Sequence, residues 1–237
     1  WKECRVNFLE EEGGYLVRRL SGGGAVFHDL GNLNFTFIVR KPDYDVDRQL
    51  QVILEAVRRL GIQAEKTGRN DITVEGRKFS GNAFYQTGDC CYHHGTLLVH
   101  ADKENMSRYL NVPREKLASK GVSSVKSRVA NLDEFCPGLT VDRVKAALAE
   151  AFSQVYGQVA EKMEEKELPE DAIGPLTEKF ESWQWKYGRK IPFEHEMEQR
   201  FAWGGIQMQF HVDGGRIQEV NVFSDAMDQE LIGNLSE

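Results

Sequence analysis

The chain has 237 residues, of which 41% are hydrophobic and 28% are charged, so it can bury a substantial core and is not expected to be disordered. Its formal net charge of -7 excludes a generic nucleic-acid-binding or anionic-membrane surface, although a local basic patch is compatible with it. Its apolar runs are shorter than the roughly 20 residues that span a bilayer, and its four cysteines form no CxxC pair, which favours a reducing, cytoplasmic location.

The first distinctive segment is a glycine-rich stretch that precedes a predicted strand. Residues 18 to 37 read RRLSGGGAVFHDLGNLNFTF, and alternating apolar residues predict a half-buried strand over residues 32–39. Glycines 22–24 permit φ > 0 and close approach of the backbone to an anion or a slender ligand. A tight turn between strands is the alternative. The spacing fits neither a P-loop nor a dinucleotide fingerprint.

Two amphipathic helices follow from the spacing of apolar residues. The first has Asp45 as its N-cap and is stopped by Gly61, and the second begins after Thr140 and ends at Gly157. Each has its apolar residues on one stripe, which is typical of an amphipathic helix.

The segment NDITVEGRKFSGNAF predicts a hairpin that turns at residues 75 and 76. That turn places Thr73 opposite Lys78 and Asp71 opposite Ser80. Asp71 and Lys78 are then diagonal neighbours, at roughly 7 to 8 Å between Cα atoms, so a carboxylate and an ammonium converge. Small residues after Lys78 leave room for a ligand. An exposed surface ion pair is the alternative.

Two histidines and a basic loop follow the hairpin. His93 and His94 are consecutive, so their side chains point to opposite faces of an extended segment and are not expected to share a metal ion; one of them should be buried and hydrogen-bonded. A strand is predicted over residues 96–100. The basic residues between Lys120 and Arg128 indicate either a loop around phosphate groups or a solvated loop.

The C-terminal part contains an acidic connection, an aromatic segment and a hairpin. Residues 161–171 predict a solvated connection, and the alternating Trp183, Trp185 and Tyr187 predict the packed face of a strand. The segment GGIQMQFHVDGGRIQEVNVF predicts a hairpin, which we interpret as the start of a further unit.

Several of these stretches together resemble the lipoate-protein ligases of the biotin/lipoate ligase superfamily. They occur in the family's order and are RRLSGGGAVFHDLGN, GRNDITV, RKFSGNAF, HHGTLL and SKGVSSVKSRVANL. The resemblance implies an α+β fold with a mixed β-sheet, a catalytic domain over residues 1–195, and the beginning of a small accessory domain over residues 196–237. It also implies that ATP and lipoate form lipoyl-AMP, from which the lipoyl group passes to a lysine of a carrier domain.

The resemblance further implies a role for individual residues. Lys78 matches the catalytic lysine that contacts carboxyl and phosphate oxygens, and Asp71 matches a Mg²⁺ contact made through phosphate. The implied lipoate-binding residues are Arg19, Ser21, Gly22, Gly23, Gly24, His28 and His94. The implied ATP- or adenylate-binding residues are Gly24, Ala25, Asn70, Asp71, Lys78, Lys120, Gly121, Ser124, Val125 and Arg128.

The implied cofactors are ATP and Mg²⁺, with lipoate as substrate. The implied partners are lipoyl domains of 2-oxo acid dehydrogenase acyltransferase subunits and the glycine cleavage H protein. The resemblance implies neither a nucleic-acid partner nor a membrane partner. One alternative is an octanoyl or lipoyl transferase of the same fold that uses Cys90 or Cys91 as nucleophile. Another is a transferase that uses preformed lipoyl-AMP, and a third is a non-catalytic carrier-docking protein, which would not need Lys78 and Asp71.

Overall fold

The structure is a computed structural model that describes residues 1–68, 70–111, 128–227 and 232. These residues form an α+β fold, as predicted, and divide into two compact units. The first comprises residues 2–5 and 26–163, and the second comprises residues 1, 6–25 and 164–237. Within the described ranges, every helix is too short or too polar to cross a membrane.

The helices and strands are numbered here in chain order. The helices are α1 (Val6–Glu11), α2 (Val46–Arg59), α3 (Lys103–Tyr109), α4 (Val141–Tyr156), α5 (Glu170–Glu181) and α6 (Trp183–Tyr187). The strands are β1 (Asn32–Arg40), β2 (Glu65–Thr67), β3 (Asp71–Val74), β4 (Arg77–Thr87), β5 (Cys90–Leu98), β6 (His195–Phe201), β7 (Gly204–Asp213) and β8 (Arg216–Ser224). The described residues also form short 3-10 helices at Lys41–Asp43, Leu132–Glu134 and Glu165–Glu167.

The first unit contains a five-stranded sheet in the order β1-β5-β4-β3-β2, whose neighbouring strands pair antiparallel. Lys78 forms a parallel bridge with Val129, which adds a parallel pairing to this sheet. Helix α2 packs on α4, and apolar residues of both helices join the core on one sheet face. The core includes Ile53, Val57, Phe79, Leu97, Leu132 and Val144. We call this side of the sheet the core face.

The predicted helix ends are confirmed. The Asp45 carboxylate accepts a hydrogen bond from Arg48 N at 3.0 Å, and Gly61 has a φ of +81° just after α2. Thr140 caps α4 in the same way, and Gly157 ends it in the left-handed conformation. These caps satisfy backbone groups that a helix end would otherwise leave unpaired.

The strand that carries the two histidines is longer than predicted and begins earlier. It runs from Cys90 to Leu98 instead of over residues 96–100. Its more polar first half is part of the strand because these residues also pair with β1 on one side and β4 on the other. Hydrogen bonding to two neighbours therefore outweighs a weak local pattern.

The hairpin of β3 and β4 turns as predicted at Glu75 and Gly76, which both have positive φ. The predicted pairing of Thr73 with Lys78 is also confirmed. The predicted pairing of Asp71 with Ser80 is wrong, since a β-bulge at Phe79 shifts the register. The bulge allows the neighbours Phe79 and Ser80 both to be buried, which a regular strand would not.

The second unit contains the three-stranded antiparallel sheet β6-β7-β8. The predicted hairpin of β7 and β8 is confirmed, and its turn contains Gly214 and Gly215 with positive φ. The strand predicted around the tryptophans is wrong, because residues 183–187 form helix α6. Ser182 caps this helix, and the rings of Trp183 and Tyr187 meet one helical turn apart at 5.4 Å.

Candidate active site

Three charged side chains meet at the end of the β3–β4 hairpin. Lys78 Nζ lies 2.6 Å from Asp71 Oδ1, and Arg128 Nη2 lies 2.5 Å from Asp71 Oδ2. The side chain of Lys78 is 22% exposed, that of Asp71 is 15% exposed and that of Arg128 is 24% exposed. We call these three residues the cationic triad, because two cations and one carboxylate leave a net charge of +1. Partial burial strengthens the attraction of such a group for an anion relative to bulk water.

Backbone pairing brings Arg128 to the hairpin from a distant part of the chain. The segment that follows Arg128 runs parallel to the start of β4, where Val129 bridges Lys78 and Ala130 N donates to Lys78 O at 2.9 Å. Because these bonds fix the neighbouring backbone, the Arg128 guanidinium reaches the carboxylate of Asp71. The convergence of Asp71 and Lys78 was predicted from the hairpin, whereas the addition of Arg128 depends on this longer-range pairing.

Gly81 provides the space in which the Lys78 ammonium lies. It sits opposite Asp71 in the register, and a Cβ atom at position 81 would meet Lys78 Nζ at 2.7 Å and Cε at 2.9 Å. A real Cβ does not approach another heavy atom this closely. The sequence predicted that small residues leave room beside Lys78; in the structure, the Lys78 chain itself occupies the room at Gly81.

The cationic triad lies on the sheet face opposite the core face, and we call this side the open face. On it, Gly81 pairs with Thr96, and the next pair along the same two strands is Ala83 with His94. His94 is half-buried and its ring lies 5.4 Å from that of Tyr92. The structure therefore places His94 on the same face as Lys78. Its neighbour His93 is fully buried on the core face, so the prediction of opposite faces is confirmed.

Asn70 adjoins the triad and is held by Asn82, a residue that the sequence did not single out. The Asn70 side-chain amide donates to Asn82 O at 3.0 Å, and Asn82 Nδ2 donates to Asn70 O at 3.1 Å. Asn82 directly follows Gly81 in the segment FSGNAF, but nothing in its local pattern indicates that its side chain is buried. Its contacts appear when the two strands are paired.

The glycine-rich loop belongs to the second unit, where Arg19 organises it. Its guanidinium donates to Ser21 Oγ at 3.1 Å, to Gly22 O at 2.7 Å and to Gly24 O at 3.0 Å. Gly23 has a φ of +97°, so the predicted positive φ occurs at this residue. Ala25 is half-buried at the end of the loop.

Gly22 allows the loop to pack closely on the segment after β8. A Cβ at position 22 would lie 2.4 Å from Ala226 O and 2.7 Å from Met227 O, and Gly23 N donates to Ala226 O at 3.0 Å. The loop therefore has a structural reason for glycine in addition to its predicted ligand role.

The remaining predicted residues lie apart from these groups or outside the described residues. His28 belongs to the first unit and is exposed, with its Nδ1 3.4 Å from Asn32 Nδ2. The predicted adenylate contacts Lys120, Gly121, Ser124 and Val125 lie outside the residues that the structure describes.

The described residues offer no cluster of three or more histidine, cysteine or acidic side chains that could hold a metal ion. Both oxygens of Asp71 contact cations, so its carboxylate is not arranged as a direct metal ligand. This donor set does not fit a protein-held Mg²⁺ ion. It is compatible with Mg²⁺ that arrives on nucleotide phosphates, which is the usual way in which proteins meet this ion.

The two cysteines proposed as alternative nucleophiles lie at the far end of β5. Cys91 is fully buried, and Cys90 is exposed beside the β4–β5 turn, where it pairs with Thr87. Cys90 lies six positions before Thr96 along β5, a distance of roughly 20 Å at about 3.4 Å per residue. Neither thiol is therefore close to the cationic triad.

Comparison with known proteins gives a consistent result for both parts of the chain. The model of the lipoyl protein ligase A/B catalytic domain matches residues 1–153, and that of the bacterial lipoate protein ligase C-terminus matches residues 190–237. Among solved structures, LipL1 of P. falciparum in complex with lipoate is 31% identical, with a TM-score of 0.82 over 100% of this chain and 70% of that one.

Two further structures are similar over most of their length. The bipartite lipoate protein ligase of Thermoplasma acidophilum, described with its E2 lipoyl domain, is 30% identical with a TM-score of 0.67, over 80% of this chain and 78% of that one. A lipoate-protein ligase A bound with ATP is 27% identical with a TM-score of 0.66, over 79% of this chain and 77% of that one.

Proposed function

Because this chain belongs to the lipoyl protein ligase A/B catalytic-domain family, we propose that it attaches lipoate to carrier proteins in two steps driven by ATP. In the first step, a lipoate carboxylate oxygen attacks the α-phosphorus of ATP, which releases pyrophosphate and leaves lipoyl-AMP. In the second step, the amine of a carrier lysine attacks the lipoyl carbonyl carbon, loses a proton, and displaces AMP.

The observation that carries this proposal is the cationic triad. Asp71 holds the Lys78 ammonium and the Arg128 guanidinium within hydrogen-bond distance, so both donors are fixed before any ligand arrives. Carboxylate and phosphate oxygens are good acceptors for such cations. Lys78 then stabilises the negative charge that develops on phosphate oxygens in the first step and on the carbonyl oxygen in the second.

The other assignments belong to the same proposal. Lipoate binding is assigned to the glycine-rich loop and two histidines, namely Arg19, Ser21, Gly22, Gly23, Gly24, His28 and His94. Nucleotide binding is assigned to Gly24, Ala25, Asn70, Asp71, Lys78, Arg128 and the residues between 120 and 125. Mg²⁺ bound to ATP would neutralise charge on the phosphates, and Asp71 would meet this ion only indirectly, through a phosphate group.

The proposed carriers are lipoyl domains of 2-oxo acid dehydrogenase acyltransferase subunits and the glycine cleavage H protein. Support comes from the T. acidophilum relative, which was studied together with its E2 lipoyl domain, and from the relative bound with ATP. The carrier lysine needs an activated acyl group and correct placement, and lipoyl-AMP provides the activation. A cytoplasmic location is also part of the proposal.

Replacement of Lys78 by alanine tests the role of the ammonium. We expect Lys78→Ala to lower lipoate adenylation and lipoyl transfer by roughly 10²- to 10³-fold, the cost of removing one preorganised donor. Lys66→Ala is a matched control, because Lys66 also contacts an aspartate, Asp47, at 2.7 Å but is 43% exposed. Both reactions are measured with a purified lipoyl domain, and folding is checked by thermal unfolding.

Full activity in a folded Lys78→Ala variant would overturn the assignment.

A Cys90→Ser, Cys91→Ser double variant tests the thioester alternative, since neither thiol lies near the triad. We expect this variant to keep transfer from lipoyl-AMP. Loss of transfer in a folded double variant, or octanoyl transfer from acyl carrier protein without ATP, would instead support the cysteine mechanism.

A further inference from the structure

His93 is a buried polar side chain that the proposed reaction does not use directly. Its ring is fully buried on the core face and is surrounded by the rings of Phe35, Phe37 and Phe84, with centroid distances of 5.5, 5.8 and 4.9 Å. Its Nε2 lies 2.8 Å from Asn82 Oδ1, and its Nδ1 lies 3.1 Å from Gln49 Oε1. Buried polar groups of this kind require partners of the correct donor type.

The hydrogen bonds of Asn82 determine which nitrogen of His93 carries the proton. Asn82 Nδ2 donates to Asn70 O at 3.1 Å, and this bond directs Asn82 Oδ1 toward the imidazole. An amide oxygen accepts and cannot donate, so His93 Nε2 must be the donor.

Gln49 completes the assignment. A neutral imidazole has one N–H, so His93 Nδ1 is an acceptor and needs a donor from Gln49. Turning the Gln49 amide so that its nitrogen faces His93 provides this donor. The rotation exchanges Oε1 with Nε2, and an amide has nearly the same shape in both orientations. It also gives a partner to Gln49 Nε2, which otherwise is buried without one among the described residues. Burial, and then the nearby charge of His94, lower the pKa of His93 from 6.5 to about 4, which agrees with a neutral ring.

Asn82 transmits this orientation to the residue beside the cationic triad. Besides the two side-chain bonds, Asn82 N donates to Asn70 O at 2.9 Å. These bonds continue the pairing beyond Asp71 and Gly81, so they fix the backbone on the N-terminal side of Asp71. The carboxylate of Asp71 in turn holds Lys78.

We propose that His93 is a positioning residue for the ligase reaction: as the neutral Nε2–H tautomer it orients Asn82, which clasps Asn70 and thereby places Asp71 and Lys78. The catalytic part of this inference rests on the proposed function, whereas the hydrogen-bond chain from Gln49 to Asn70 does not. Supporting residues of this kind act through the geometry of the groups that touch the ligand.

The first test measures the tautomer in the unmodified protein. Long-range ¹H–¹⁵N NMR spectra of the histidine rings at pH 6 to 8, without substrates, should assign His93 as neutral with its proton on Nε2. A proton on Nδ1, or a cationic ring in this range, would overturn the proposal.

The second test compares His93→Leu with His93→Gln, whose side-chain amide can still donate to Asn82 Oδ1. In His93→Leu, hydrogen exchange of the Asn82 N–H should rise by about tenfold, the factor that corresponds to loss of one hydrogen bond. The Asp71 and Lys78 amide resonances should also shift. In His93→Gln, both should stay close to wild type. Equal exchange rates and resonances in all three proteins would overturn the positioning role whether or not the proposed function is correct.

The third test is kinetic. His93→Leu should lower kcat for lipoyl transfer by up to about 100-fold, the cost of a misplacement near 1 Å, with KM for lipoate within about twofold. His93→Gln should recover most of kcat. Equal losses in both folded variants, or a loss confined to KM, would contradict the proposal. An inactive wild type would instead reject the proposed function, and the NMR and exchange tests would still decide the positioning role.

Discussion

Glycine at position 81 leaves the space in which the side chain of Lys78 reaches Asp71. The atoms that an added Cβ would meet belong to the end of the lysine chain, and not to the backbone. A larger residue would therefore move the ammonium before it disturbed the fold. The chemistry of the candidate site depends in this way on a residue that has no side chain.

We expect Gly81→Ala to lower lipoyl transfer by about 10- to 100-fold, because the methyl group displaces Lys78 Nζ from its place beside Asp71. The melting temperature should change little. Gly174→Ala is the matched control, since Gly174 lies within α5 in open space, where alanine should stabilise by at most about 1 kcal/mol. Transfer kinetics and thermal unfolding check both variants, and a fully active Gly81→Ala would contradict the geometry described for Lys78.

His93 predicts a pH dependence of stability. Its pKa is about 4 in the folded protein and 6.5 in the unfolded chain, so the unfolded chain binds more protons between these values. Stability should thus fall as pH falls from 6.5 toward 4, by up to about 3 kcal/mol from this group. Urea unfolding of wild type and His93→Gln at several pH values checks this, and the stability of wild type relative to His93→Gln should fall as the pH is lowered from 6.5 toward 4. A difference independent of pH would be evidence against a neutral buried imidazole.

At the scale of the elements, the sequence predicts the helix ends and turns, because these depend on residues that are close together in the chain. The ends of α2 and α4 follow from their capping residues and apolar stripes, and the β3–β4 turn follows from Glu75 and Gly76. The bulge at Phe79 was not predicted, because it arises from packing between strands that no local pattern records. For the same reason the convergence of Asp71 with Lys78 was predictable from the sequence, whereas the role of Asn82 was not.

The glycine-rich loop is an element whose packing can be tested separately from ligand binding. We expect Gly22→Ala to destabilise the protein by about 1 to 3 kcal/mol, because its Cβ would overlap the backbone oxygens of Ala226 and Met227. Backbone atoms cannot move aside as cheaply as the end of a lysine chain. Denaturant unfolding measures the change, and a variant as stable as wild type would refute the close packing of the loop on residues 226–227.

For the whole molecule, the predicted site residues are distributed between the two units. The loop of residues 19–25 belongs to one unit, whereas Asn70, Lys78, His94 and Arg128 belong to the other. The motifs were recognisable from the sequence because they are contiguous and occur in the family's order. The predicted domain boundary after residue 195 stays a prediction, and the matched family models extend over residues 1–153 and 190–237.

Lipoate-dependent exchange of labelled pyrophosphate into ATP, followed by mass spectrometry of a lipoyl domain, tests the central claim most directly. The proposed function predicts exchange that requires lipoate and Mg²⁺, together with lipoylation of one lysine of the carrier. Both signals should fall in Lys78→Ala and persist in Lys66→Ala. Transfer from added lipoyl-AMP without any exchange would contradict the activation step and favour a lipoyl-AMP transferase. Absence of both exchange and transfer in the folded protein would contradict the ligase function itself.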